Sequence, residues 1–252
     1  MKKHYLFVLL LIVTTKFFAQ GLEKNQQEMV KTFIDYIENK DVNKLKKIVR
    51  YPLRRAKPLS AIKNESEFKR KFKEIFDQDF MNMIVNSDIN KDWSQVGSNG
   101  IMFKNGALWL GLNGNLIAVN YQSKKGDKKV AKISKKSSRK VHESLKVFKK
   151  PILVMETKKF RVRVDQLENG TYRYASWPLD SKMTDKPSLV LKNGRLIPDG
   201  SGGNHKYKFT NVDYTYECYI NELGTNDSPD AYLMVFRGRK EILSQDAKIV
   251  SK

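Results

Sequence analysis

Residues 100–121 read Gly100-Ile101-Met102-Phe103-Lys104-Asn105-Gly106-Ala107-Leu108-Trp109-Leu110-Gly111-Leu112-Asn113-Gly114-Asn115-Leu116-Ile117-Ala118-Val119-Asn120-Tyr121: three short apolar runs separated by two Asn-Gly pairs. Asn-Gly between strand-like runs favours a tight hairpin, because both turn residues must take positive φ. The spacing predicts a three-stranded antiparallel meander over 101–104, 107–112 and 115–121. Helices come before it, which points to an α+β unit whose curved antiparallel sheet wraps those helices.

Upstream, Met29, Val30, Phe33, Ile34 and Ile37 share one face at helical spacing. A second helix over 42–49 takes Asp41 as its N-cap, and Tyr51-Pro52 ends it, since a residue before proline is pushed out of helical geometry. Asn64, three residues before Glu67, forms an N-cap signature. Phe68, Phe72, Ile75 and Phe76 then supply the stripe of a packed helix. Three helices are therefore expected before any strand.

Downstream the chain changes character. From Lys124 to Lys140, nine Lys or Arg stand against one acid, Asp127, a local charge of +8. Such blocks self-repel, so 123–150 reads as a solvated basic linker, closed by a weakly amphipathic helix over 137–148 that Pro151 stops. From 152 to 250 the pattern is nearly all β. Phe160, Val162 and Val164 alternate with Arg161, Arg163 and Asp165, the period of a strand with one wet face. Asn169-Gly170 and Asn193-Gly194 predict further hairpins. Runs at 207–209, 214–220, 232–236 and 241–244 complete a small sandwich or barrel. The expected organisation is a signal peptide over 1–19, an α+β domain over 20–122, a basic linker over 123–150 and a β-rich domain over 151–252.

Several upstream features occur together: Tyr51-Pro52-Leu53, the Glu67-Phe68 start and Ile75-Phe76 end of the helix after Asn64, and Gly100-Ile101-Met102 and Leu108-Trp109-Leu110 on consecutive strands. In this order they resemble the nuclear transport factor 2-like (NTF2-like, SnoaL-like) α+β cone over about residues 23–122. That superfamily includes isomerases, dehydratases, pocket binders and dimerising scaffolds, so the resemblance implies a pocket or a homodimer face. Its enzymes carry a carboxylate or histidine inside the cone. No His lies between residues 5 and 141, so the resemblance implies an enzyme acting through a carboxylate, with Asp35, Asp77 or Asp92 as candidates.

Lys2 and Lys3, the apolar run from Tyr5 to Val13, and Phe17-Phe18-Ala19 follow the order of a cleavable secretion signal. The apolar run is too short to span a bilayer, and Lys16 interrupts it. No transmembrane anchor is expected. Cleavage after Ala19 removes Lys2, Lys3 and Lys16 and no acid, so the charge falls from +21 to +18. The expected location is periplasmic or extracellular, and this charge draws the protein toward anionic surfaces. Lys greatly outnumbers Arg, the residue suited to bidentate phosphate recognition, and no specific nucleic-acid motif is present. The single cysteine, Cys218, excludes an internal disulfide and reads as a small buried side chain.

The candidate ligand site is Gly200, Ser201, Gly202, Gly203, Asn204 and His205, whose glycines let backbone N–H groups converge on a ligand or simply form a wide turn. It matches neither a phosphate loop nor a dinucleotide fingerprint. The anion-binding candidates in the linker are Lys124, Lys125, Lys128, Lys129, Lys135, Lys136, Arg139 and Lys140. Tyr172 and Tyr174 share one strand face while Arg173 and Trp177 share the other, which splits any stacking patch. His142 and His205 are the only mature histidines, and neither a metal site, a cofactor nor a catalytic cluster is indicated.

Together these readings point to an exported, non-catalytic binding or scaffold protein of the cell envelope. Its partner would be an anionic envelope component or another envelope protein. One alternative is a pocket-type envelope enzyme using a carboxylate in the cone. The other is an inhibitor of a cell-wall hydrolase, against which the positive charge counts because many lysozymes are also basic.

Overall fold

The apolar side chains segregate into two large clusters, one built from residues 22–119 and one from 152–247. They are seen in a computed structural model that describes residues 21–199, 203–222 and 228–251; the expected signal segment lies outside these residues.

In the first unit, α1 (Lys24–Glu38) buries Val30, Phe33 and Ile37. Next comes α2 (Val42–Ile48), which starts where the Asp41 side chain accepts from the Lys44 N–H. It leads straight into β1 (Val49–Arg55). Asn64 caps α3 (Glu65–Ile75) and Asp77 caps α4 (Gln78–Val85), each by accepting a backbone N–H. Ring contacts run from Phe68 through Phe72 and Phe76 to Phe80 and bind these two helices together. After α5 (Ile89–Asp92) come β2 (Trp93–Gln95), β3 (Ile101–Phe103), β4 (Leu108–Leu110) and β5 (Leu116–Val119).

The sheet order is β1-β5-β4-β3-β2. This overturns the expected antiparallel cone. The sheet is mixed, because β1 runs parallel to β5 (Val49↔Leu116, Arg54↔Ala118) while β2 to β5 are antiparallel. A strand also stands where only helices were expected. Pro52 disguised it, yet proline is tolerated on an edge strand, and β1 is an edge. Parallel pairing needs a long crossover, and the segment from α3 to β4 supplies it. The nuclear transport factor 2-like resemblance, and the homodimer face drawn from it, fall with this topology.

Residues 124–138 are also not a solvated linker. They form α6 (Lys124–Ser138), and the helix expected over 137–148 is instead a short 3-10 turn, Glu143–Leu145.

Eight strands follow in an up-and-down order: β6 (Lys150–Glu156), β7 (Phe160–Gln166), β8 (Tyr172–Pro178), β9 (Leu189–Pro198), β10 (His205–Asn211), β11 (Tyr214–Ile220), β12 (Ala231–Arg237) and β13 (Lys240–Ser251). They close into an antiparallel barrel, which settles the expected sandwich or barrel against the sandwich. Closure comes from β13, which pairs with β12 from Lys240 to Ala247 and then with β6 through Lys248↔Glu156 and Ile249↔Met155. Tyr174, Tyr207, Phe209 and Cys218 pack in the interior, as an eight-stranded barrel allows. Opposite-parity positions carry Lys206, Lys208 and Glu217, unlike a lipid-facing band. Among the described residues no helix is long and apolar enough to cross a membrane.

Asn193-Gly194 is not a hairpin turn. It lies inside β9, where Asn193 takes φ 61° and the register against β8 shifts between Tyr172 and Tyr174. This bulge bends the strand around the barrel. A β-carbon at residue 194 would lie 2.1 Å from the Phe209 ring, so only glycine fits there. Gly194→Val is expected to cost about 1–3 kcal/mol through overpacking, read as a lower urea midpoint, with partial recovery in Gly194→Val/Phe209→Leu. An unchanged midpoint would show that β9 is not held against Phe209.

Candidate functional site

A run of like charge weakens a helix at every i,i+3 and i,i+4 contact. What holds α6 is therefore its inner face. At its start the Ser123 hydroxyl donates to the Glu74 carbonyl at 2.5 Å and accepts from the Gly126 N–H at 3.1 Å. The Lys124 N–H donates to Asp77 at 3.3 Å, and Lys124 Nζ lies 2.8 Å from Asp79. Glu74 pairs with Lys129, and its other oxygen lies 3.9 Å from the buried guanidinium of Arg55 on β1. Toward the end of α6, Ser134 Oγ donates to the Lys149 carbonyl at 3.1 Å and Ser137 Oγ accepts from Arg163 at 2.9 Å. The helix is thus fastened to the first unit at one end and to the barrel at the other.

The barrel attachment centres on three buried ions. Arg163, Asp165 and Arg173 are 2%, 1% and 3% exposed. Asp165 accepts from Arg163 Nε at 2.9 Å and from Arg173 Nη2 at 2.8 Å. Two cations against one anion leave an excess positive charge. It is met by the carbonyls of Leu145 and Val147, which accept from Arg173 at 2.7 and 3.1 Å, and by the Phe148 ring over both guanidiniums. Val141 and Leu145 pack beside it against Ala175 and Trp177. Of the three residues expected on the wet face of β7, Arg163 and Asp165 are therefore dry and Arg161 is half-buried. The signal was present in the sequence: Val141, Leu145 and Phe148 are the apolar lid over it.

On the outer face of α6, Lys125, Lys128, Lys129, Lys132, Lys135, Lys136 and Arg139 are all exposed. At 3.6 residues per turn they fall within an arc of about 120°, and they extend along about 21 Å of helix. Gly126, Val130, Ile133, Ser134 and Ser137 occupy the opposite, inward arc and are buried or half-buried. Lys132 is absent from the sequence-derived candidates, yet it lies at the centre of this stripe. Lys124 and Lys140, which are among those candidates, lie off its edges. Apart from Lys129, no stripe cation has an ion-pair partner among the described residues.

The glycine-rich candidate is only partly described. Gly200, Ser201 and Gly202 lie outside the described residues. Gly203 takes φ 89°, and a β-carbon there would meet the Arg54 guanidinium at 1.9 Å. Asn204 accepts from the Glu222 N–H at 2.9 Å, and Glu222 pairs with Lys57 at 3.6 Å. His205 Nδ1 donates to the Gly203 carbonyl at 2.9 Å. These residues thus form a junction between the barrel and the first unit.

The three carboxylates considered for an enzyme are not brought together. Asp35 is exposed beside Asn39, Asp77 caps α4 and accepts from Tyr121, and Asp92 pairs with Lys104. Cys218 is fully buried, which pushes its thiol pKa far up, away from thiolate chemistry. A shallow groove of about 520 Å³ lies between Glu156, Lys158, Asp230, Asp246 and Lys248, with charges of both signs. Among the described residues no group of three or more His, Cys, Asp or Glu gathers as a metal site. Compared with family models, curated proteins and solved structures, the chain matches none.

Two outcomes follow from this geometry. Asp165→Asn leaves two guanidiniums buried without a counter-charge and is expected to cost about 3–5 kcal/mol in chemical denaturation; a cost below about 1 kcal/mol would contradict the anchoring role. His205 has its pKa lowered from 6.5 by burial, with the Lys57 and Arg54 charges adding to the shift and the Gly203 carbonyl and Glu222 opposing it. The folded state then binds fewer protons than the unfolded one. Its contribution is complete above pH 6.5 and is lost as pH falls toward the lowered value. Relative to His205→Gln, the native chain is expected to lose stability between pH 7.5 and 5.5, and parallel curves would refute this.

Proposed function

We propose that this chain is an exported, non-catalytic binding protein of the cell envelope, held on an anionic envelope component by the outer face of α6. The observation that carries the reading is the stripe: seven cations gathered on one exposed arc of a helix whose opposite arc is fixed to both units. A random excess of lysine would scatter over the surface. Here each stripe residue has at least two like-charged neighbours three or four positions away, an arrangement that weakens an isolated helix. The N-terminal signal pattern supports export to a compartment where envelope polyanions are met.

Each Lys or Arg close to an anionic surface is worth about 1 kcal/mol. Replacing Lys128, Lys132 and Lys135 by Gln is therefore expected to cost about 3 kcal/mol, roughly a hundredfold in affinity at low ionic strength. The effect fades as salt shortens the range of the field. The check is retention of the purified protein on isolated envelope fractions at low and high salt. A second triple variant, Lys186→Gln, Lys192→Gln and Lys240→Gln, removes the same charge from exposed barrel positions. Equal loss of retention in both variants would reduce the effect to net charge and sink the proposal.

A further inference from the structure

Resting on that reading, we infer that the partner of α6 is a linear acidic polysaccharide lying lengthwise along the helix. The shape of the charged surface carries the argument. The cations form a band about 21 Å long and one helix face wide, the footprint of a chain and not of a plane. Along one row, Lys125, Lys129, Lys132, Lys136 and Arg139 follow one another three or four residues apart, so charge recurs there about every 4.5–6 Å along the axis, with Lys128 and Lys135 beside the row.

The make-up of the helix separates this partner from the other polyanions. A helix that docks on a bilayer turns an apolar face into the lipid. On α6 Val130 and Ile133 point inward, and the one exposed uncharged residue between Lys125 and Lys136 is Ala131. Single-stranded nucleic acid is gripped by aromatic side chains stacking on bases, and α6 contains no aromatic residue. A chain of negatively charged sugars needs neither an apolar anchor nor a stacking platform. Its approach also relieves the repulsion within the stripe, so binding stabilises the helix that binds it.

The test is titration of the full chain with oligogalacturonates of increasing length at low salt. Affinity is expected to rise with each added unit until the oligomer spans the distance from Lys125 to Arg139, and then to level off. The double substitution Ala131→Lys/Lys132→Ala keeps the net charge and moves one cation about 100° off the stripe. It is expected to weaken binding of the long oligomers about fivefold, whereas Lys132→Arg retains it. Circular dichroism confirms that each variant keeps its helix. Binding that does not change with oligomer length, or is unaffected by the charge-preserving swap, overturns the inference. So does tighter binding to phosphatidylglycerol vesicles or to single-stranded DNA of equal charge. If envelope retention persists while oligomer binding is flat, only this inference fails. If retention itself ignores salt and the Lys128, Lys132 and Lys135 replacements, the underlying reading fails with it.

Discussion

Asp165 holds two arginines in the dry outer wall of the barrel, and the placement of the intervening segment depends on it. Moving these three ions out of water is costly, and removing the central carboxylate would leave two like charges facing one another in a medium that screens poorly. The excess positive charge of the cluster is met only when residues 145–148 lie over it, since Leu145 and Val147 supply the carbonyls and Phe148 the ring. That requirement fixes the chain just after α6. Through the bond from Arg163 to Ser137 it also fixes the last turn of the helix. With Glu74 and Asp77 at the other end, α6 has no freedom to roll, and the direction its lysines face is set by residues outside the stripe.

This division of labour explains how so charged a segment stays helical. Small residues on the inner arc, Gly126, Ser134 and Ser137, let the backbone sit close to its supports, and their hydroxyls and backbone groups make the attachments. The outer arc contributes repulsion. A helix stabilised by its own side-chain pairs would carry acids at alternate turns; α6 has only Asp127, in its first turn. Tertiary contacts thus take over the role that sequence-local pairing usually fills.

Local punctuation was legible in the sequence, and long-range pairing was not. Asp41 and Asn64 sit at helix starts because an N-cap depends on neighbours three residues away. Gly106 and Gly114 take positive φ at the two Asn-Gly steps near the middle of the chain for the same local reason. At Asn193-Gly194 the identical dipeptide serves a bulge, because the Phe209 ring from the neighbouring strand decides the outcome. The parallel partner of β1 lies more than 60 residues away, beyond any periodicity. The lysine block was visible as charge. Its helical form was hidden because its supports, Glu74, Asp77 and Arg163, come from elements distant in sequence.

The long last strand of the barrel bears on how other molecules can approach. A sheet with an open margin offers a row of unpaired backbone N–H and C=O groups, and peptides exploit such margins by adding a strand of their own. Because β13 joins β6 as well as β12, the barrel presents no margin, and recognition there must go through side chains. The mixed sheet keeps two: β2, only three residues long, and β1, which carries Pro52 and so lacks one donor. Both are poor templates for strand addition. The backbone of this protein is largely closed to its surroundings, and its surface chemistry is left to carry recognition.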